Sequence, residues 1–377
     1  MRVRCLGQAI AVLIFLRLSA ECHAGFQLQA VAWGDNAGSP TNVPASAPNL
    51  IGIFCGGANA IGLRSDRSLV AWGNQSGGIN NIPAEATNIF AVAITDCAFG
   101  LRGDGKVISW GSAIPVLTNV PSSITNATAM AVGKFHALVL RSNGTVTAWG
   151  RNDFNQTNVP IGLSGVRAIG AGSSHSLAVR TNGTVSAWGQ NDQLQCNVPA
   201  PASNIVAVAG GVTHSIALRA DGRVIAWGNN DYGQLNVPVD LTNAVEIAAS
   251  INHSIARTAD ERVVVWGAMG SSDYSITNVP KNFSNVVALA TGYSYGVALR
   301  RIYVPTQAAT LDVARFTGIF LHGETNGTYS VQYTDALQGT NNWTLLTNIT
   351  LTLPTQIIID YESPNAPQRF YRAVTTP

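Results

Sequence analysis

Four histidines, His136, His175, His214 and His253, stand 39 residues apart and are the first chemistry the chain offers. A set of imidazoles at one repeated position could bind a metal or carry protons. Zinc, however, needs its ligands to converge within ~2.0–2.3 Å of one point, which residues on separate repeats need not do. Asn59, Cys97 and Tyr295 take the same position in other copies without loss of the motif around them. That tolerance fits a packing role, in which each imidazole bonds backbone within its own repeat. No metal is expected here.

The pairs Asn152-Asp153, Asn191-Asp192 and Asn230-Asp231 could supply oxygen ligands to calcium, which needs about six converging oxygens. Asx turns account for them more simply. Catalytic signatures such as H-E-x-x-H, G-x-S-x-G or a P-loop lysine are missing, and Gly170-Ala171-Gly172 is a bare G-x-G at a strand end. Carboxylates are scattered in turns, with no acid–base pair in view. The expectation is a protein that is not an enzyme and takes no cofactor.

The frame holding these residues is a repeat. Trp-Gly recurs at Trp33, Trp72, Trp110, Trp149, Trp188, Trp227 and Trp266, at spacings of 39 or 38 residues. Nine residues after each of the first six tryptophans comes Asn-Val-Pro or Asn-Ile-Pro; the seventh copy delays it to Asn278. Runs such as "VRAIGAG", "HSLAVR" and "TVSAWG" are short, apolar and separated by turns, so they read as strands. Asp104-Gly105, Asn143-Gly144, Asn182-Gly183 and Asp221-Gly222 carry the type I′ hairpin signal. The Val-Pro segment reads as a fourth, outer strand, since proline suits a sheet edge. Four strands make a propeller blade. The array begins and ends mid-repeat, so the two ends are expected to share one blade, giving an all-β, seven-bladed ring without open edges. Trp-Gly is expected between blades, its glycine allowing close approach.

At these residues the chain resembles the regulator-of-chromosome-condensation repeat family, whose units pair Gly-x-x-His-(Ser/Thr) with Asp-Gly and Trp-Gly. The resemblance covers about residues 26–302. The Asn-Val-Pro variant is similar to the secreted bacterial branch that includes a propeller-type β-lactamase inhibitor protein. The resemblance implies a seven-bladed β-propeller that binds proteins through loops on one rim. The eukaryotic branch is a nucleotide exchange factor for a small GTPase, an activity not carried over because an exported chain would not meet that partner.

Export is expected from the N-terminus. "MRVR" is basic, "AIAVLIFLRLSA" apolar and "CHA" a small-residue cleavage site, so residues 1–24 read as a signal peptide. The apolar run is too short to span a bilayer. Removing it leaves 19 basic and 19 acidic residues, and such a neutral chain lacks the footprint of a nucleic-acid binder. Three cysteines remain, Cys55, Cys97 and Cys196; a Cys55–Cys97 bridge and buried free thiols are both open. After Arg301 the period vanishes, and residues 303–377 read as five strands of a small β-sandwich-like module.

The residue before the repeated histidine position varies from copy to copy. The candidate partner-binding set on that loop is Lys134, Phe135, Ser174, Thr213, Asn252, Tyr293 and Tyr295. Phe154, Tyr232 and Tyr274 fall in a second loop, after Trp-Gly. Aromatics on ring loops suit a protein-binding hot spot. The expected function is a secreted, monomeric binding scaffold for a protein or cell-surface ligand, in the extracellular space, periplasm or envelope. An envelope adhesive attached by the C-terminal module is the alternative, with a polysaccharide hydrolase or lyase behind it.

Overall fold

The apolar runs between the turn signals become strands, each too short to bury itself and each sharing its faces with neighbours. The computed structural model describes residues 26–75, 77–111, 115–268, 272–281, 283–303, 310–314, 318–322, 326–334, 344–351, 355–358 and 370–375. The expected signal peptide lies outside the described residues. The chain divides into two units, one spanning Leu28–Ile302 and one containing Tyr303–Pro377.

In the first unit β1 (Phe26–Gly34) is followed by triplets of strands, each forming one antiparallel sheet. These are β2 (Leu50–Gly56), β3 (Asn59–Arg64) and β4 (Leu69–Gly73), then β5 (Ile89–Ile94), β6 (Ala98–Arg102) and β7 (Val107–Trp110). A short helix, α1 (Pro115–Thr118), precedes β8 (Ala127–Val132), β9 (His136–Arg141) and β10 (Val146–Gly150). Next come β11 (Val166–Ala171), β12 (His175–Arg180) and β13 (Val185–Gly189), then β14 (Ile205–Gly210), β15 (His214–Arg219) and β16 (Val224–Gly228). The last full triplet is β17 (Ala244–Ala249), β18 (His253–Thr258) and β19 (Val263–Gly267). β20 (Val286–Thr291) and β21 (Tyr295–Tyr303) then take β1, from the other end of the array, as their third strand. The first strand of each triplet packs against the first strand of the next, from β2 through β5, β8, β11, β14 and β17 to β20, and β20 packs against β2.

The middle strands are buried along almost their whole length, as in His175–Val179. Each first strand of these sheets carries a one-residue bulge near its start, for example between Val166 and Ala168, which bends it locally. Packing between sheets fills the space with Leu177, Val179, Ile205, Val208 and Trp227 in one cluster and Ile216, Leu218, Leu241, Ile247 and Trp266 in the next.

Two local expectations are corrected. The Asn-x-Pro segments add no fourth strand: the sheets are three-stranded, and these segments are loops, because side chains rather than a ladder hold their backbone, as described below. The hairpins are not type I′. Positive φ falls on the glycine alone, 76° at Gly144 and 80° at Gly183, and Gly144 N–H donates to the Arg141 carbonyl at 2.9 Å. The preceding asparagine instead accepts the Thr145 N–H at 3.1 Å. This is a type I turn closed by a left-handed glycine, the three-residue alternative for a hairpin.

The second unit contains β22 (Thr310–Ala314), β23 (Gly318–His322), β24 (Thr328–Thr334), β25 (Thr344–Thr350), β26 (Thr355–Ile358) and β27 (Phe370–Thr375). They form two sheets, β22-β23-β26 and β25-β24-β27, with Tyr329, Val331 and Leu351 buried together. The extra strand, β22, is the one the sequence reading lacks.

Candidate functional site

The repeated histidines turn out to be seams between sheets. His136, His175, His214 and His253 are wholly buried. Their Nε2 atoms meet hydroxyls of the following sheet: Ser176 at 2.8 Å, Ser215 at 2.9 Å, Ser254 at 3.0 Å and Thr291 at 2.6 Å. Ser176 and Ser215 donate their own protons to the carbonyls of Gln156 and Gln195, both at 2.8 Å. A serine hydroxyl has one proton to give, so it accepts from the ring and Nε2 carries the hydrogen. The same two carbonyls accept the indole N–H of Trp188 at 2.9 Å and Trp227 at 2.8 Å. The histidine therefore binds a side chain of the next repeat, not backbone of its own.

Burial holds these imidazoles neutral, near pKa 4 for His136 and His214 and near 3 for His175 and His253. Of the exceptions, Tyr295 still crosses the seam, donating its hydroxyl to the Asn59 carbonyl, whereas Asn59 stays within its own repeat, its Nδ2 donating to the Asn74 carbonyl at 2.7 Å. Among the described residues no group of three or more His, Cys, Asp or Glu side chains could hold a metal. Cys55, Cys97 and Cys196 are free thiols, and burial pushes Cys97 and Cys196 up to about 12, which leaves them unreactive.

The motif glycines make room for this seam. A Cβ on Gly172 would stand 2.1 Å from Cε1 of His175, and one on Gly150 would stand 2.6 Å from the Phe135 carbonyl with φ at 111°. The glycine of Trp-Gly thus serves its own sheet. The tryptophan reaches across: all seven Trp-Gly indoles donate to a backbone carbonyl of another repeat, Trp149 to Leu117 at 2.8 Å and Trp33 to Ile276 at 2.9 Å.

The Asn-x-Pro loop is fastened at both ends of its nine-residue spacing. Asn152 Nδ2 donates to Asn158 Oδ1 at 2.9 Å while its Oδ1 accepts the Thr157 N–H at 3.0 Å. Asn191 with Asn197 and Asn230 with Asn236 repeat the pairing at 2.9 and 3.1 Å. The asparagine oxygens considered for calcium are therefore spent on the loop itself.

These fastenings bring the two variable loop sets to one rim. Arg151 N–H donates to the Phe135 carbonyl at 2.8 Å, Gln190 to Ser174 at 2.9 Å and Asn229 to Thr213 at 3.0 Å. Ser173 N–H donates to the Gly211 carbonyl of the next loop at 3.1 Å, and Tyr293 N–H to that of Gly57 at 3.0 Å. On this rim Lys134 is exposed, and Phe135, Thr213, Asn252 and Tyr293 are half-buried. Ser174 and Tyr295 are buried, at 3% and 2% exposure, Tyr295 in the seam. Tyr293 gives its hydroxyl to Asp96 at 2.9 Å, bridging the loops of two other repeats. In the second loop set Phe154 is 47% exposed and Tyr232 half-buried, while the side chain of Tyr274 lies outside the described residues.

Sequence reading missed Arg151 and Leu194. The Arg151 guanidinium lies 5.0 Å from the Phe135 ring centroid and Lys134 Nζ lies 5.3 Å from it. Leu194 is 58% exposed with φ at 63°, where Asn155 and Gly233 stand in the flanking repeats. A β-branch-free but bulky residue in that region signals strain. At the hairpin-turn end a cleft of about 430 Å³ is lined by Arg167, Asn182, Asn204, Arg219 and Asp221 among others. Its cations are engaged: Arg167 binds the Ile205 carbonyl, and Arg219 pairs with Asp221 at 3.1 Å.

Residues 127–156, 166–195 and 205–234 match the family model "Regulator of chromosome condensation (RCC1) repeat". Among solved structures, yeast RCC1 (Prp20), bound to Kap60, is 18% identical with a TM-score of 0.61, over 78% of this chain and 90% of that one. Prp20p from Saccharomyces cerevisiae, described with its binding to Gsp1p and histones, is 18% identical with a TM-score of 0.59, over 74% and 92%. The CRINKLY WD40 ectodomain of the Arabidopsis thaliana receptor kinase ACR4 is 16% identical with a TM-score of 0.51, over 70% and 91%. At these identities the likeness is one of fold. No curated protein sequence matches the chain.

Proposed function

From a chain that carries regulator-of-chromosome-condensation repeats, we propose a closed seven-bladed propeller acting as a non-enzymatic scaffold that binds a protein partner through one rim. Ring closure is supported by β1 joining β20 and β21 and by the Trp33 indole bonding Ile276. Tyr303–Pro377 forms a separate β module. The leader-like N-terminus favours export, and the partner then sits outside the cytoplasm.

One observation carries the binding assignment. The rim where both loop sets meet is built on repeated hydrogen bonds, yet the side chains it displays do not repeat: Lys134, Phe135, Arg151, Phe154 and Leu194 have no counterparts at their positions in the neighbouring copies. An invariant frame presenting variable, partly apolar loops is the division of labour a binding scaffold requires.

The test uses the full chain as bait on the producer's extracellular fraction, with any captured protein purified and titrated back. F135A and F154A weaken that complex at least about tenfold, as hot-spot truncations do, while N143A and N182A at the hairpin end leave it unchanged. The reverse pattern moves binding to the other rim and refutes the assignment.

A further inference from the structure

The charges on this rim are sorted, and their sorting specifies the partner. Across the described side chains of the two loop sets, cations occur in a single repeat, as Lys134 and Arg151, with Asp153 beside them; Asp35, Asp96, Asp192 and Asp231 are spread through the others. Both cations stand against one aromatic ring, at 5.3 and 5.0 Å from the Phe135 centroid. The nearest counter-charge is Asp153, 4.0 Å from Arg151 with both side chains more than half exposed, a separation at which an exposed pair contributes little.

Two like charges held against one ring favour an added anion, and the ring keeps their stems in place. Apolar contacts frame this point. Phe154 follows Arg151 by three residues and is 47% exposed, and Leu194, in the matching loop of the next repeat, is 58% exposed. Leu194 keeps a left-handed φ of 63° although asparagine or glycine stands there in its neighbours, so an apolar side chain is retained at that spot at a cost in backbone strain. The other described loops offer no cation, and Asp35, Asp96 and Asp231 disfavour an acidic partner elsewhere on the rim, which favours this sector.

We infer that the sector Lys134–Phe135–Arg151–Phe154–Leu194 docks an acidic protein segment, one that places carboxylates beside an aromatic or aliphatic side chain. This deepens the rim-binding assignment and rests on it. The carboxylates pair with Lys134 and Arg151; the apolar side chain covers Phe154 and Leu194.

The experiment uses the full chain and two fluorescein-labelled peptides of equal length, Glu-Asp-Phe-Glu-Asp and its uncharged counterpart Gln-Asn-Phe-Gln-Asn, followed by anisotropy. The acidic peptide binds and the uncharged one does not, and binding weakens as salt rises from about 50 to about 500 mM, where exposed charge pairs are screened. K134Q and R151Q, which keep the stems over Phe135, each weaken binding several-fold, and K134E with R151E abolishes it. Equal binding of the two peptides, no binding of either, or indifference to the charge changes overturns the inference. Loss of the captured natural partner in F135A but not in K134E with R151E sinks this charge assignment while leaving rim binding intact. Loss in neither sinks both.

Discussion

Glu246 and Arg257 form a buried ion pair that the other repeats replace with carbon. They face each other across β17 and β18, where the equivalent pairs are Ala129–Leu140, Ala207–Leu218 and Ala288–Leu299. Glu246 is 1% exposed and its Oε2 accepts Arg257 Nε–H at 2.8 Å, while the Arg257 side chain is 14% exposed. The other oxygen accepts the Leu289 N–H at 3.4 Å, on the sheet that joins the two ends of the repeat array. In E246A the guanidinium stays buried without its anion, which costs about 3–5 kcal/mol. That lowers the unfolding midpoint in urea by about 1 M at a slope of about 3 kcal/mol/M, and by less if the slope of this larger unit is steeper. E246A with R257L rebuilds the Ala–Leu pair of the neighbours and removes both desolvation penalties, so it returns to the parent's stability or exceeds it by about 1–4 kcal/mol. Urea titrations followed by the buried tryptophans, with Trp266 in the same sheet, read all variants. A double variant no more stable than E246A would show that the pair outperforms apolar packing at this seam and refute the reasoning.

Two further outcomes follow from the seam and the rim. The four seam histidines are held near 3 or 4 against about 6.5 when unfolded. Their contribution is therefore complete above pH 6.5 and is lost as pH falls toward 4 and then 3, at about 2 kcal/mol per histidine by pH 5. Burial pushes Glu246 up to about 7, which opposes the loss for one group only, so midpoints measured at pH 7 and 5 should fall steeply, and H175N should fall less than the parent. Leu194 gains nothing structural from its left-handed φ, so L194G raises Tm by an amount worth about 1 kcal/mol; a lower Tm would mean its side chain packs in the free protein.

Much of the frame is legible in the sequence because a repeat multiplies each signal. Trp-Gly, Gly-x-x-His and Asn-x-Pro recur in phase, and strand boundaries follow from them to within a few residues. What each motif does is less legible, since period alone does not say whether a bond stays within a repeat or crosses to the next. His136 and Ser176 are 40 residues apart: one period carries the partner to the next sheet, and the extra residue places it just after that sheet's own histidine. The Asn-x-Pro segment misleads for a related reason: proline excludes it from a ladder as readily as it suits an edge, and the Asn152–Asn158 pair, six residues apart, decides for a loop.

Departures from the repeat are where sequence reading is weakest and structure most decisive. Lys134, Tyr295 and Glu246 each break a pattern, and nothing in their spelling separates them. Burial does. Tyr295 and Glu246 vanish into seams next to the sheet that unites the ends of the repeat array, where their hydrogen bonds reach β3 and β20; a ring that must close on one partner only has reason to mark that junction with polar groups that a wrong neighbour would leave unpaired. Lys134 breaks the pattern on the rim, in water, where an unmatched charge costs the fold little and remains available to a partner. An exception of the same kind is thus enclosed in a seam at Tyr295 and Glu246 and left in water at Lys134, and burial rather than sequence tells the two apart.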